Sequence, residues 1–554
     1  MASIRKRQSM SDVFKGIASG ITGIYVFFIL TIFPLYTHNK YFDILTARYR
    51  LYFWSSIVLC YLLFLLGIIY ILLDYQNQSS SPTAIKRFLL AFRIENIKKH
   101  IVITDVFFIV MLVSMTISTI FSNFNEESFY GNAGRYQGLE CWILYFLTYF
   151  AITRTFKLKK YYLDFALLAG AFACIWGILD FFWLDPFGFF VNVESVQQGM
   201  FASSIGNLNT YTNYTIMIFA LAGALFIIEE NIYKSLFYCI ITLIAASGTI
   251  FGFADNAVLG FAGFFIAMPF FVFKNRRMFL RYFIVIDTLL ISMYAFRIAL
   301  KLPHNTYQGS FFIDLVNKPF FAYLFIPFTI LIIVLFFVLN KMEPKYVATS
   351  NKELHPLDSV LPKQVLYVYV ALIALSFVVI IYILLDMNVF KKHVELWQQI
   401  PSSNQLVFND YWGTHRGHNW RIGFTNFTQN FNLFQRLFGY GPDTYLIVSE
   451  RTFYEEMVSR FGEVYDSAHN EYINYLICEG LIGLIAYLGT FISGLRLGIK
   501  QIKNNIYILA PIMAVIVYLV QAFVNIAIPI TTPVFFVLFY ICVAEHFSNK
   551  ELVA

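Results

Sequence analysis

The sequence predicts an all-α polytopic membrane protein with about fourteen transmembrane helices. Its 554 residues are 59% hydrophobic, 19% aromatic and only 13% charged. Apolar runs of about 20 residues, the helix length that crosses a hydrocarbon core of about 30 Å, recur along almost the whole chain. The basic residues that do occur gather in alternate connections between these runs. The runs fall at 17–36, 51–73, 103–121, 139–153, 162–181, 210–228, 233–253, 255–273, 281–299, 319–340, 364–386, 472–495, 505–526 and 529–545.

Orientation follows from those basic connections. With the N-terminus in the cytoplasm, alternate connections carry Arg5, Lys6, Arg7 and Lys15; Lys86, Arg87, Arg93, Lys98 and Lys99; Arg154, Lys157, Lys159 and Lys160; and Lys274, Arg276, Arg277 and Arg281. The connection from 182 to 209 holds no Lys or Arg. With about fourteen crossings the C-terminus then also lies in the cytoplasm. Membrane orientation accounts for the formal charge of +7, so no nucleic-acid partner is implied. The first apolar run lacks a small-residue cleavage site and resembles a retained signal anchor. Cys60, Cys141, Cys174, Cys239, Cys478 and Cys542 lie in or beside the runs without metal-ligand spacing, which predicts core packing rather than disulfides.

Only one connection is long, residues 388–471, and the charge bias puts it outside the cytoplasm. The chain divides accordingly into N-terminal membrane helices (1–387), this outer loop (388–471) and C-terminal membrane helices (472–554). Within the loop, Trp420, Phe424, Phe427, Phe431 and Phe434 recur at steps of 4, 3, 4 and 3, the spacing of one helix face. Such a stripe lies on the membrane surface or packs on the helix bundle; a sugar-stacking platform is the sharper alternative. Arg416 and Arg421 stand near the start of this helix, where free N–H groups and the helix dipole favour an anion such as phosphate. The cytoplasmic connection 341–363, with Pro344, Pro356 and Pro362, is a plain linker.

The stretch SAHNEYINYLICEGLIGLIAYL, residues 467–488, passes from polar loop into membrane helix. With Asp466 or Ser467 as helix cap, His469 falls in the first turn, where the dipole opposes imidazolium and leaves a neutral base. Spacings of 3, 4 and 3 align His469, Tyr472, Leu476 and Glu479, and a carboxylate inside a membrane helix should face a polar cavity or partner. The plain alternative is a histidine bonded at a wet helix end. Arg135 in NAGRYQGLECW, and Asn207, Asn209 and Asn213 in IGNLNTYTNY, mark further polar helix entrances on the same side. A snorkelling arginine and ordinary capping asparagines are their plain readings. His415 and His418 flank Arg416 without a third ligand at recognisable spacing, so no metal is predicted, and neither a P-loop nor a Gly-x-Ser-x-Gly elbow occurs.

RGHNW at 416–420, LFGYGPDTY at 437–445 and HNEYINYLICEGLIGL at 469–484 resemble, in this order, motifs of the O-antigen ligase and O-antigen polymerase superfamily. GRYQGL at 134–139 and GNLNTYTNY at 206–214 are similar to two upstream motifs of that superfamily. The resemblance covers about residues 120–490. One departure stands out: many members carry Ser-Arg where this chain has Asp255-Asn256, so no role of that arginine carries over. The resemblance implies a C-type membrane glycosyltransferase with one long extracytoplasmic loop. Such an enzyme moves a glycan from an undecaprenyl-diphosphate-linked donor to a glycan or lipid acceptor, with no metal, nucleotide sugar or other cofactor. In that reading Arg135 and Arg416 clamp the diphosphate with Arg421 as a third contact, and His469 is the base. Asn470 and Glu479 orient the histidine or shape the acceptor cavity, while Asn207 and Asn209 line the substrate site. A polymerase that joins lipid-linked units differs mainly in acceptor. A lipid-linked glycan transporter would show inverted repeats or broken mid-helices, and neither is evident in the sequence.

Overall fold

A computed structural model describes residues 9–77, 83–91, 93, 100–132, 134–302, 316–319, 323–341, 360–398 and 406–548. Arg5, Lys6, Arg7, Lys98, Lys99, Pro344 and Pro356 lie outside the described residues. Helices α1 (Met10–Phe27), α2 (Ile44–Asn77), α3 (Ile103–Phe121), α4 (Leu139–Thr155), α5 (Lys160–Phe181), α6 (Leu208–Ile228), α7 (Ile232–Phe251), α8 (Asn256–Ala267), α9 (Arg276–Ala299), α10 (Phe325–Lys341) and α11 (Lys363–Leu385) precede the long connection 388–471. The loop itself holds α12 (Trp412–Thr425), α13 (Leu433–Phe438) and α14 (Tyr445–Phe461). It ends at α15 (Glu471–Cys478), after which α16 (Gly480–Gln501), α17 (Leu509–Gln521) and α18 (Thr532–Ser548) complete the chain. Among the described residues, 10 helices are long and apolar enough to cross a membrane, and α8 with its continuation, α10 and α18 are shorter apolar helices. The protein is therefore all-α and polytopic, with one two-stranded hairpin, Phe201–Ala202 against Gly206–Asn207.

Helix α6 is the centre. It is apolar nearly all round, and all of its apolar window is buried by α5, α7, α8, α9 and α17. Bilayer lipid is as apolar as a leucine, so close backbone approach rather than the hydrophobic effect must hold such a helix. Glycines on its neighbours supply that approach. A Cβ on Gly170 would come within 2.6 Å of Ile218, one on Gly260 within 2.5 Å of Ile216, and one on Gly177 would overlap Tyr211. By contrast α11 buries none of its apolar window. All six cysteines are free, four of them buried, as the core reading anticipates.

Several basic residues of the orientation argument are not loose surface charges. Arg154 pairs with the buried Asp105, and Lys160 with the buried Glu229.

One buried cation escaped the sequence reading. Arg48, fully buried, donates to the carbonyls of Phe33, Pro34 (3.0 Å) and Ser204 (2.8 Å). The first two close the run that follows α1, where a helix end leaves carbonyls without partners and carries partial negative charge. The third belongs to the hairpin that delivers Asn207 to the start of α6, and Tyr41 Oη also donates to that hairpin, at Ser203 O (2.9 Å).

Candidate functional site

The sequence segments singled out above meet at one end of the bundle. Gly439 and Gly441 have φ of 84° and 132°, a region closed to most side chains. Their backbone runs along the end of α15: Tyr440 N donates to Ile477 O (3.0 Å) and Gly441 N to Cys478 O (3.0 Å). A Cβ on Gly439 would overlap the Cys478 carbonyl. This contact delivers Asp443, itself left-handed at φ 58°, into the turn that carries Arg135. Asp443 Oδ2 accepts from the backbone amides of Asn132 (2.8 Å) and Gln137 (3.1 Å), so one buried carboxylate fixes both sides of Arg135. Burial pushes the Asp443 carboxyl up to about 6, against the lowering effect of Arg135 and the two amides.

Arg135, 9% exposed, donates through Nε to Asp466 Oδ2 (3.0 Å) and through Nη2 to Asp466 Oδ1. Burial works to raise the Asp466 carboxyl, but the Arg135 charge and hydrogen bonds hold it below the usual value. Arg416 donates through Nε to Val524 O (3.2 Å) and through Nη1 to Gly413 O (2.5 Å). Burial works against the Arg416 charge, and the negative charge of Asp255 supports it. Arg135 Nη1 and Arg416 Nη2 have no hydrogen-bond partner among the described residues.

His469 lies within electrostatic reach of both arginines. Its backbone is left-handed (φ 49°), and Ser467 Oγ lies 3.2 Å from Nδ1 and accepts from the His469 amide at 3.3 Å. Burial first, then the charges of Arg416 and Arg135, push its pKa down to about 4, with Asp466 opposing. The neutral imidazole expected from a helix dipole is thus neutral for a different reason. The helix begins two residues later, because Asn470, not Asp466 or Ser467, is the cap and accepts from Ile473 N (3.1 Å).

Other expected residues are placed differently. Glu479 does not continue a face of His469, Tyr472 and Leu476, because α15 ends at Cys478 and Gly480 turns the chain at φ 70°. It is 2% exposed, and its Oε2 has no hydrogen-bond partner among the described residues. Arg421 points into a cluster of its own, donating to Asp410 (3.0 Å) and Glu456 (2.5 Å), with His418 Nδ1 2.9 Å away. Arg460 bonds the same two carboxylates, and the set fastens α12 to α14. Asn207 caps α6 by accepting from Asn209 N (2.9 Å), and Asn209 O accepts from Asn256 Nδ2 (3.1 Å). The aromatic stripe is not one helix: α12 ends at Thr425, a π-turn follows, and Phe431 is extended before α13. Trp420 and Phe427 pack on a small core of Phe431, Tyr445, Ile473 and Ile477, while Phe424 and Phe434 remain exposed.

Behind Arg135 lies a narrow cavity lined by Gln137, Asp443, Ser467, Glu471, Asn474 and Glu479. Glu471, missed in the sequence reading, is 3% exposed and accepts from Tyr487 (3.0 Å) and Tyr518 (2.8 Å). Its position directly after the His-Asn pair was the available signal. The one metal-capable cluster among the described residues is Asp410, His418 and Glu456, whose carboxylates are already bonded by Arg421 and Arg460. No protein-family model and no curated protein matches the chain.

Proposed function

We propose that the protein is a metal-independent membrane glycosyltransferase of the O-antigen ligase type. It transfers a glycan from an undecaprenyl-diphosphate-linked donor to an acceptor hydroxyl at the outer face of a bacterial cytoplasmic membrane. One observation carries the reading: two guanidinium groups, each tethered through two nitrogens and open at the third among the described residues, both act by charge on a partly buried neutral histidine. Tethered guanidiniums lose little freedom on binding, and their open Nη groups suit phosphate oxygens. Arg135 and Arg416 bind the diphosphate and stabilise the charge it gains as the anomeric C–O bond breaks. The acceptor oxygen attacks from the opposite side with inversion, and its proton passes to His469 Nε2.

In this reading α4, α8, α10 and α18 also span, making about fourteen crossings, with both termini cytoplasmic and the connection 388–471 outside. Arg421 holds the loop together from within its carboxylate cluster instead of touching the donor. Ligase and polymerase modes differ in the acceptor, which the test itself identifies.

The test is transfer from labelled undecaprenyl-diphosphate glycan to a panel of acceptors by purified protein in EDTA. Wild type should transfer, and His469→Asn and Arg416→Gln should not. Transfer by His469→Asn at the wild-type rate sinks the assignment, and donor binding without transfer by the wild type favours a transporter.

A further inference from the structure

Arg416 follows three successive residues held in the left-handed region. Gly413, Thr414 and His415 have φ of 60°, 58° and 67°, and α12 takes an ordinary helical course only after them. Glycine adopts that region freely. A β-branched threonine and a histidine do not, and left-handed residues normally occur singly. Strain of this kind persists only where the surroundings hold it, and it gathers where a side chain has to be aimed. The side chain aimed here is Arg416, which folds back over the turn and donates through Nη1 to Gly413 O (2.5 Å).

Two sets of contacts hold the turn. Around it, Trp412 N donates to Asn409 O (3.0 Å) and His418 N to Asp410 O (3.3 Å), while Gly417 lies so close to the Asn409 carbonyl that a Cβ would overlap it. At its last residue, the His415 ring lies against Phe461 at the end of α14, with ring centroids 4.4 Å apart. His415 Nδ1 is 2.7 Å from Tyr465 Oη and 3.3 Å from Oε1 of the exposed Glu463. Tyr465 is 7% exposed, packs in a small core with Ile422 and Met457, and its carbonyl accepts from Ser449 Oγ (3.0 Å). The next residue is Asp466, which accepts from Arg135. Adjacent residues of one stretch thus fasten the turn that carries Arg416 and the Arg135 guanidinium itself.

We propose that Tyr465 is a positioning residue for the donor: through His415 it latches the left-handed turn that aims Arg416, and with Asp466 beside it keeps Arg416 in register with Arg135. This rests on the reading in which both arginines grip the donor diphosphate. Two groups that bind one diphosphate must keep a fixed separation, and a displacement of about 1 Å is enough to spoil a positioned contact. The phenol and the imidazole set that separation across 50 residues of sequence. Glu463 reaches the same ring nitrogen from solvent, where water screens it, and is the weaker partner. Without the Tyr465 hydroxyl, the packing of His415 on Phe461 and the small core remain, so the loop keeps its fold. The turn then relaxes toward right-handed backbone and carries Arg416 out of register.

The test is equilibrium binding of radiolabelled undecaprenyl diphosphate to the full-length protein in detergent micelles with EDTA, which needs neither acceptor nor turnover. Arg416→Gln is expected to weaken binding by about tenfold or more, the worth of a charge-assisted hydrogen bond, and Tyr465→Phe by about fivefold. In the double variant Tyr465→Phe should add nothing to Arg416→Gln, since a latch has no effect once the group it aims is gone. His415→Asn should bind like wild type, because an amide offers Tyr465 both a donor and an acceptor and tolerates left-handed backbone. His415→Leu should bind as weakly as Tyr465→Phe. Wild-type affinity in Tyr465→Phe beside a weakened Arg416→Gln overturns the latch and leaves the diphosphate clamp standing. Losses that multiply in the double variant also overturn it, because they mark a general loosening of the loop. If Tyr465→Phe does not fold, the His415 pair decides alone. Wild-type affinity in Arg416→Gln, or no binding by the wild type, removes the clamp reading and the latch with it, so the two failures are distinguishable.

Discussion

Asp443→Asn should become progressively more favourable relative to wild type as pH rises. The carboxyl is 6% exposed, and its pKa in the folded protein is about 6 against 3.8 when free. A carboxyl raised on folding binds its proton more tightly in the native state, so it contributes stability below pH 3.8 that is lost as pH rises to 6. The difference of about 2 pH units corresponds to about 3 kcal/mol. Asparagine resembles the protonated acid: it tolerates the left-handed backbone and offers one oxygen to the amides of Asn132 and Gln137. Near pH 4 the two proteins should therefore unfold at similar temperatures. Near pH 7.5 the variant should gain several degrees, up to that energy. Asp443→Ala leaves both amides without their acceptor and strains the backbone, so it should be destabilised by about 3 kcal/mol or more at either pH. The assay is thermal unfolding in detergent micelles at both pH values. Taking the variant minus wild type cancels the opposite slope from His469, whose lowered pKa adds stability that is lost as pH falls from 6.5 towards 4. An Asp443→Asn effect identical at pH 4 and 7.5 refutes the argument.

Other outcomes follow from the same geometry. His469→Asn should unfold at a higher temperature than His469→Ala, by about 1 kcal/mol, because asparagine tolerates φ near 49° better than alanine, and both should lack transfer activity. The acid limb of kcat/KM should lie near pH 4, and in Arg416→Gln, which removes a positive charge beside the imidazole, the His469 ring should titrate at a higher pH when followed by NMR. Arg48→Met should destabilise the fold by about 3 kcal/mol or more, since three carbonyls lose their buried donor; a wild-type unfolding temperature would show those carbonyls to be satisfied otherwise. Arg421→Met should cost about 1 kcal/mol, the partly exposed pairs being screened, and should leave the rate of the folded fraction unchanged. A loss of rate with unchanged donor binding in that variant would give Arg421 a direct role.

The sequence by itself determined the solvent of this protein and the ingredients of its candidate site. Long apolar runs have no stable solution except membrane or buried helices, so an all-α polytopic chain was legible from composition and run length. Arg135, Arg416 and His469 were legible as candidates because polar groups beside apolar runs are costly unless used. The tertiary structure alone decided how those groups are paired. Arg416 and Arg421 are five residues apart and look equivalent in sequence, yet one faces His469 and the other is locked between Asp410 and Glu456. Asp443 lies more than three hundred residues from Asn132 and holds its loop by two hydrogen bonds, and Glu471 receives two tyrosines from other helices. The helix break at Gly480, which moves Glu479 off the expected face, likewise depends on the backbone of residues 439–441 packing against it. Hydrophobic runs are properties of a segment and can be read along the chain, whereas the partner of a buried charge depends on distance in space, which no local pattern encodes.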